Sequence, residues 1–181
     1  MGRISFRFNV KKAIEVILWL ASRKQDGVDV FHIVKAIFYS DVYHLNNYGR
    51  VIFGDTYAAM KYGPIPSKTY DILNNDLLTM SCLGLTEVPF ERNNIIIKAL
   101  RNPNMEEFSE SDIEALQYGW DEVKDKSFKQ ISDSLHEHDA YKKKWDSSER
   151  TANSIPIDFE DLIVDKEIKE ELSCTSKYIK I

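Results

Sequence analysis

Apolar side chains recur three and four positions apart along most of this chain, which is the spacing of amphipathic helices. The clearest stripe follows Asp29 and consists of Val30, Ile33, Val34, Ile37, Phe38, Leu45 and Tyr48. We therefore predict a long central helix that is capped by Asp29 and ends at Gly49, because glycine adopts the left-handed conformation that often follows a helix. An earlier helix begins after Asn9 and carries a similar stripe, so the two helices are expected to form an antiparallel hairpin.

The second half of the chain repeats this periodicity. Further helices are expected from Ser67 to Met80, after Ser109, after Ser127, and from Asp158 to Leu172. The segment Ser109 to Asp112 has the form of a capping box, in which a serine and an acidic residue bond to each other's backbone N–H groups at a helix start.

Two shorter segments are predicted from other signals. Asp55 is expected to cap a short helix over Tyr57 to Met60, which must end at the following Gly-Pro turn because proline cannot continue a helix. Two β-rich runs, Val88 to Phe90 and Ile95 to Ala99, flank a turn that contains asparagine and therefore predict a β-hairpin. The predicted fold class is mainly α, a single helical domain with a small β-hairpin.

The length and the net charge of the chain limit the classes of function to be expected. A chain of 181 residues can build one sizeable core but not two ordinary domains. The net charge of -5 and the pI of 5.4 argue against an autonomous nucleic-acid binder, because such proteins hold phosphates with lysine and arginine. An acidic surface suits a basic protein partner, and the alternative is that the acidity only aids solubility.

The cysteines and the N-terminal apolar run indicate a cytoplasmic protein. Cys82 and Cys174 lack CxxC spacing, and we interpret them as reduced thiols. The apolar run Ala13 to Ala21 contains Glu15 and is shorter than the roughly 20 residues that span a bilayer. We therefore predict no signal peptide and no membrane segment.

Polar residues on the central helix divide between its two faces. Asp41 and His44 fall on the apolar stripe, where an unpaired carboxylate costs several kcal/mol, so Asp41 needs a partner. The nearest candidates are Arg50, Tyr57 and His44. Asp41 with His44 is interpreted as an internal hydrogen-bonded anchor. Lys35 and Tyr39 fall on the opposite face, and we interpret them as a surface available to a partner.

Tyrosines surround a proline-rich turn after the central helix. Tyr57, Tyr62 and Tyr70 lie among small residues and a Gly-Pro-x-Pro sequence. Rigid aromatic side chains lose little entropy on binding and make both apolar and hydrogen-bonding contacts. The turn is therefore interpreted as structural, with exposed tyrosines that contribute to a binding surface; the alternative is that it only reverses the chain between two helices.

A metal site is a different class of function to consider. The segment His136 to Asp139 contains two histidines and two acidic residues, but side chains two positions apart point about 200° apart on a helix. A solvated helix end is favoured over a metal-dependent hydrolase. We find no nucleophile elbow and no glycine-rich phosphate loop in the sequence, and we expect no catalytic residue, no metal and no cofactor.

Three consecutive blocks of the sequence form one long, irregular motif. They are Lys35-x-x-x-Tyr39-x-Asp41-x-x-His44-Leu45, then Tyr48-Gly49-Arg50, then Gly54-Asp55-x-Tyr57-x-Ala59-x-x-Tyr62-Gly63-Pro64-x-Pro66 with Tyr70 behind it. This motif resembles the SocA-like Panacea antitoxin-associated domain, and the resemblance covers roughly Val10 to Trp145. It implies a mostly helical domain that binds and neutralises a toxin encoded beside it, with no catalytic step of its own.

Together with the helical pattern, the resemblance suggests two groups of site residues. The toxin-binding group is Lys35, Tyr39, Tyr43, Tyr57, Tyr62, Pro64 and Pro66. The structural group is Asp41, His44, Gly49, Arg50, Gly63, His136 and Trp145, of which the last two fit the family's pattern of a histidine on the last helix followed by a tryptophan. We expect residues 1–145 to form the antitoxin domain and residues 146–181 to form a polar linker and a C-terminal segment docked on it.

The expected partner is a cognate toxin protein encoded by an adjacent gene of a bacterium or phage. We expect no binding to a membrane or directly to nucleic acid. Within the same family, the alternative is a proteolytic adaptor that delivers the toxin to an ATP-dependent protease. The sequence does not decide whether the protein forms a homo-oligomer.

Overall fold

The computed structural model describes residues 4–146 and 153–175. Within these ranges the helices are α1 (Val10–Ala21), α2 (Val30–Tyr48), α3 (Ser67–Leu73), α4 (Leu77–Cys82), α5 (Glu110–Asp121), α6 (Phe128–His136), α7 (Asp139–Trp145), α8 (Phe159–Leu162) and α9 (Lys166–Thr175). The strands are β1 (Val28–Asp29), β2 (Tyr57–Met60), β3 (Gly63–Pro66), β4 (Phe90–Asn93), β5 (Ile96–Ala99) and β6 (Ile155–Ile157), and Met105–Glu107 forms a 3-10 helix. The prediction of a mainly helical fold with a minor β component is confirmed.

The first two helices begin and end where the sequence predicts. The Asn9 side chain caps α1 by accepting the N–H of Lys12 at 3.1 Å, and Asp29 caps α2 in the same way. Gly49 ends α2 with a left-handed φ of 65°. The assignment of Tyr48 to the buried stripe of α2 is wrong, because its side chain turns to the surface, where its hydroxyl donates a hydrogen bond to a carboxylate of α5.

α2 packs directly against α5, and a glycine permits the close contact. A Cβ on Gly119 would lie 2.1 Å from the Ser40 hydroxyl oxygen and 2.3 Å from the carbonyl oxygen of Ala36. Glycine inside a helix costs about 1 kcal/mol relative to alanine, and the close approach of two helices explains its presence here. The solvent-facing sides of α2 and α5 therefore lie next to each other.

The predicted helix over Tyr57 to Met60 is wrong. This segment is strand β2, which pairs antiparallel with both β3 and β6. The two neighbouring strands supply partners for its backbone on both sides, whereas an isolated helix of one turn leaves most of its N–H and C=O groups unbonded. Pro64 and Pro66 lie in β3 at the edge of this sheet, where a missing N–H removes no hydrogen bond that the sheet needs.

The predicted hairpin is confirmed with shifted limits. Its strands are β4 and β5, and Asn94 takes a left-handed φ of 57° at the turn between them. β1 pairs with β5 on the other side, so the second sheet has the order β1-β5-β4. The first strand begins after Pro89, which has no N–H to donate.

Two segments predicted as single helices are each broken into two. The stretch Ser67 to Met80 is interrupted after α3, because Asn75 takes a left-handed φ of 54° and Asp76 then caps α4. The stretch Asp158 to Leu172 is interrupted after α8, and Asp165 accepts backbone N–H groups at the start of α9. Polar residues that bond to their own backbone compete with a continuous helix in both places.

The C-terminal part of the chain packs on the rest. β6 adds a strand to β2, and three apolar side chains of the segment after it are buried: Phe159, Leu162 and Ile163. The Asn46 amide bonds the carbonyl of Leu162 at 2.9 Å and the N–H of Val164 at 2.8 Å, which ties this segment to α2. The division of the chain at residue 145 stays a prediction, since residues 147–152 lie outside the described ranges.

No helix within residues 4–146 and 153–175 has the length and apolar character needed to cross a membrane.

Candidate functional site

The Asp41 carboxylate lies in the core with both oxygens hydrogen-bonded. One oxygen accepts the Tyr57 hydroxyl at 2.7 Å, and the other accepts the backbone N–H of Ile52 at 2.8 Å. Of the three partners considered from the sequence, Tyr57 is therefore confirmed. Loss of hydration on burial raises the pKa of Asp41 to about 7. These bonds connect α2 to the loop after it and to strand β2.

His44 belongs to a separate polar cluster, so its proposed pairing with Asp41 is wrong. Its Nδ1 lies 2.7 Å from the carbonyl oxygen of Arg50, and its Nε2 lies 3.2 Å from the Ser111 hydroxyl. The centre of this cluster is Asp112, whose carboxylate pairs with Lys12 at 2.5 Å. His44 is turned toward this cluster because Asp112 lies at the start of α5, directly beside the end of α2.

Asp112 both caps α5 and interacts with basic side chains. It completes the predicted capping box by accepting the Ser109 N–H at 2.8 Å, and Arg50 approaches it to 3.4 Å. Although burial opposes ionisation, the bonds from Lys12 and Ser109 hold the pKa of Asp112 below its usual range. The capping-box pattern was the sequence signal for this residue, but its ion pair with Lys12 joins positions far apart in the chain.

Asp55 caps a helix, but not the one expected. Its buried carboxylate accepts the N–H groups of Thr56, Lys68 and Thr69, and the Thr69 hydroxyl at 2.6 Å. Lys68 and Thr69 lie in the first turn of α3, so Asp55 satisfies the free N–H groups of that helix from across the β2–β3 hairpin. The prediction that it caps Tyr57 to Met60 is wrong because that segment is a strand.

Lys35 does not lie on the surface, and its interpretation as an accessible partner contact is wrong. Its side chain is 1% exposed, and its ammonium donates to the carbonyl oxygen of Pro64 at 2.8 Å beneath the β2–β3 turn. The Phe31 ring lies 5.2 Å from the charge. Burial lowers the pKa of Lys35 to about 7. A Cβ on Gly63 would lie 3.3 Å from the Lys35 nitrogen, so this glycine also leaves room for the amine.

The other expected toxin-binding residues divide by exposure. Tyr57, Pro64 and Pro66 are buried and offer no side-chain surface in this structure. Tyr39 and Tyr43 are half-buried, and Tyr62 is 48% exposed and packs edge-on against Phe128. The reason for the division is strand pairing, because β2 and β3 fold inward against α2.

His136 and Trp145 are connected through a residue that the sequence analysis assigned no role. Tyr141 stacks on the His136 ring at 4.9 Å and on Trp145 at 5.7 Å, and its hydroxyl donates to the carbonyl of Met60 at 2.8 Å. The Nε2 of His136 lies 3.0 Å from the carbonyl oxygen of Lys61. This stack holds α6 and α7 against the end of β2. The aromatic Tyr-x-x-x-Trp spacing was its only sequence signal.

The segment His136 to Asp139 is spread over a helix junction. His138 caps α7 and lies against the Phe38 ring at 5.2 Å, whereas Glu137 pairs with Lys142 on the surface. Among the described residues, no three His, Cys, Asp or Glu side chains form a group that could hold a metal ion.

A partly exposed group of tyrosines lies where α2 and α5 meet. We define the tyrosine face as Tyr39, Tyr43, Tyr48 and Tyr118 together with Glu114. The rings of Tyr43 and Tyr118 stack with their centroids 4.5 Å apart. The hydroxyls of Tyr43 and Tyr48 donate to the two oxygens of Glu114 at 2.5 Å and 2.7 Å. Glu114 and Tyr118 belong to no motif of the sequence, because only the packing of α5 on α2 brings them to these tyrosines.

The comparison with known proteins agrees with the resemblance seen in the motif. A family described as "Antitoxin SocA-like, Panacea domain" matches residues 33–145. This range runs from the first turns of α2 to the end of α7. It includes the tyrosine face, the Asp41 and Asp55 clusters, and the Asp112 cluster except for Lys12. No curated protein and no solved structure matches the chain.

Proposed function

Because the chain belongs to the SocA-like antitoxin family that carries the Panacea domain, we propose that it neutralises a protein toxin by binding it directly. The match over residues 33–145 is the observation that carries this proposal. The toxin is the product of an adjacent gene, the complex is stoichiometric, and this chain performs no catalytic step on its partner.

The use of three buried carboxylates within the matched range supports the proposal. Asp41, Asp55 and Asp112 each direct their carboxylates to donors within the fold, so they stabilise a scaffold. Groups committed to internal bonds are poorly placed to exchange protons with a substrate. Exposed aromatic side chains beside this scaffold, including those of the tyrosine face and Tyr62, are the side chains we assign to toxin contact.

Co-expression tests the proposal directly. The reading frame adjacent to this gene is expressed alone and together with this protein, and growth of the host is measured. We expect growth to stop with the first gene alone and to return when both are present. A harmless neighbouring gene, or a toxin that remains active in the presence of this protein, would contradict the proposal.

The same experiment separates direct neutralisation from proteolytic delivery. Toxin abundance is followed after synthesis is stopped, with and without this protein. Direct binding predicts that growth returns while the toxin persists. If growth returns only because the toxin disappears, this chain acts as an adaptor for a protease.

A further inference from the structure

Glu114 is held by two phenols in an otherwise exposed position. The hydroxyls of Tyr43 and Tyr48 each donate to a different carboxylate oxygen. These bonds lower the pKa of Glu114, and the bond to Glu114 raises the pKa of Tyr43 to about 12. At neutral pH the carboxylate is therefore ionised and fixed in orientation by two neutral hydroxyls.

Two acceptor positions of this carboxylate remain available. A carboxylate has about four lone-pair positions, and the two phenols use one on each oxygen. Both oxygens thus retain an acceptor position, which is the pattern that a guanidinium group bonds with two parallel N–H groups. A lysine ammonium is a point charge and does not match both oxygens in this way.

No lysine or arginine among the described residues pairs with Glu114. Within the described parts of the chain, it forms no ion pair with a lysine or arginine, and its hydrogen-bond partners are the hydroxyls of Tyr43 and Tyr48. Lys126, the lysine whose charge acts on Tyr118, is already paired with Glu122 at 2.9 Å. α5 itself contains acidic residues and no lysine or arginine from Glu110 to Asp121. The tyrosine face therefore presents one negative charge that residues 4–146 and 153–175 leave without a paired cation.

The rings around Glu114 add a second property that suits a guanidinium. Tyr43 and Tyr118 form a stacked pair, and Tyr118 and Tyr48 are 40% and 41% exposed. A guanidinium stacks favourably on an aromatic ring within about 6 Å, and tyrosine is among the residues enriched where interfaces gain most of their affinity.

We propose that the tyrosine face binds an arginine side chain of a basic segment of the toxin, with Glu114 pairing the guanidinium and the Tyr43–Tyr118 pair stacking beside it. This inference rests on the proposed function, because it names the chemistry of the toxin surface that the antitoxin covers. Neutralisation then depends on a charge contact that is weakened by salt.

Charge reversal at Glu114 tests the proposal in the complete protein. The variants are Glu114→Gln and Glu114→Lys, and the matched control is Glu87→Lys, which makes the same charge change at an exposed residue before β4. Affinity for an inactive form of the toxin encoded by the adjacent gene is measured by calorimetry. We expect Glu87→Lys to bind like the wild type and Glu114→Lys to bind about 30-fold more weakly or worse. Melting temperatures verify that each variant is folded.

A peptide titration tests the guanidinium directly. The probe is acetyl-Gly-Arg-Gly-amide, and its control is the same peptide with citrulline, which has the shape of arginine without the charge. We expect the arginine peptide to shift the NMR signals of the Tyr43, Tyr48 and Tyr118 rings in the wild type and not in Glu114→Gln. Equal shifts from the citrulline peptide, or equal shifts in Glu114→Gln, overturn the proposal.

The outcomes separate this inference from the proposed function. If the wild type neutralises the toxin and Glu114→Lys neutralises it equally well, the arginine site is wrong and the antitoxin function stands. If the wild type fails to neutralise the toxin, the proposed function is wrong and the peptide titration alone decides the arginine site. If Glu114→Lys instead converts a dimer to a monomer, the tyrosine face is a contact between copies of this chain and the inference is overturned.

Discussion

The inward and outward sides of α2 use their polar groups differently. On the inward side, the Asp41 carboxylate has no access to solvent, and both of its oxygens accept bonds from other parts of the fold. On the outward side, Tyr43 bonds to Glu114, a surface carboxylate with no lysine or arginine beside it in the described structure. Both carboxylates accept hydrogen bonds, so hydrogen bonding does not distinguish their roles. Burial does, because a buried residue can only stabilise the fold, whereas an exposed one can also contact a partner.

Lys35 shows that this distinction cannot be inferred from helical position alone. It lies one turn before Tyr39 on the same side of α2, yet it is buried while Tyr39 is half-exposed. The β2–β3 turn covers the first of these residues and not the second. A charged residue of the motif is therefore part of the interior.

The largest effect is expected for Asp41→Ala. This change leaves the Tyr57 hydroxyl and the Ile52 N–H without an acceptor in the core, which should lower the free energy of unfolding by about 4 kcal/mol. Urea denaturation measures the loss. Asp133→Ala, at an exposed position of α6, is the control and should change stability by less than about 0.5 kcal/mol. Equal effects of the two substitutions would contradict a structural role for Asp41.

Gly119→Ala should be the next most damaging change. The added Cβ meets the carbonyl oxygen of Ala36 and the Ser40 hydroxyl, so α2 and α5 must separate at a cost of about 3 kcal/mol. Gln117→Ala on the exposed side of α5 tests whether alanine itself disturbs this helix. If Gly119→Ala is instead more stable than the wild type, the close helix contact does not limit the packing.

Lys35→Met should change how stability depends on pH. The pKa of Lys35 is about 7 in the folded protein and 10.5 in an ordinary environment. Between these values the unfolded chain binds the proton and the folded chain does not, so raising the pH favours folding. From pH 7 to pH 9 the wild type should gain up to about 2.5 kcal/mol relative to Lys35→Met, which has no such group.

Parallel curves for the wild type and Lys35→Met over this range would contradict the effect of burial on the amine. Asp41 acts in the opposite sense at lower pH. Its folded pKa is raised to about 7 from 3.8, so its contribution to stability falls as the pH rises between these values. The two residues are thus distinguished by the pH window in which each acts.

The smallest effect on stability is expected for Tyr43→Phe. This change removes one surface hydrogen bond to Glu114 and retains the ring stacked on Tyr118, so the free energy of unfolding should fall by less than about 0.5 kcal/mol. Toxin affinity should fall more, because Glu114 loses one of the two hydroxyls that orient it. If Tyr43→Phe loses stability and retains its affinity for the toxin, Tyr43 stabilises the fold, as Asp41 does, and does not contribute to toxin binding.

Local signals predicted much of the helical framework. Asn9 and Asp29 cap the first two helices, Gly49 ends α2, and the segment Ser109 to Asp112 forms a capping box. Each of these devices bonds groups within a few positions of one another, so a short stretch of sequence contains all the information needed. The need of Asp41 for a partner also followed from its place on the apolar stripe, and Tyr57 was among the candidates.

Errors arose where the partner lies far along the chain. Tyr57 to Met60 is a strand because β6 arrives from roughly a hundred positions later and pairs with it. Asp55 caps α3 because Tyr57 to Met60, the segment that it was expected to cap, is a strand and not a helix. The exposure of the candidate site shows the same limit, because Lys35 is covered by the β2–β3 turn, which no helical wheel includes.

By itself, the sequence determined the family, the helical class and the ends of the main helices, since these depend on a long motif and on contacts between near neighbours. The tertiary structure alone decided which motif residues are buried and which are exposed. It buried the Lys35 amine beneath Pro64, and it brought Glu114 of α5 to the tyrosines of α2. The physical reason is that exposure depends on which elements pack over a residue, and those elements come from distant parts of the chain.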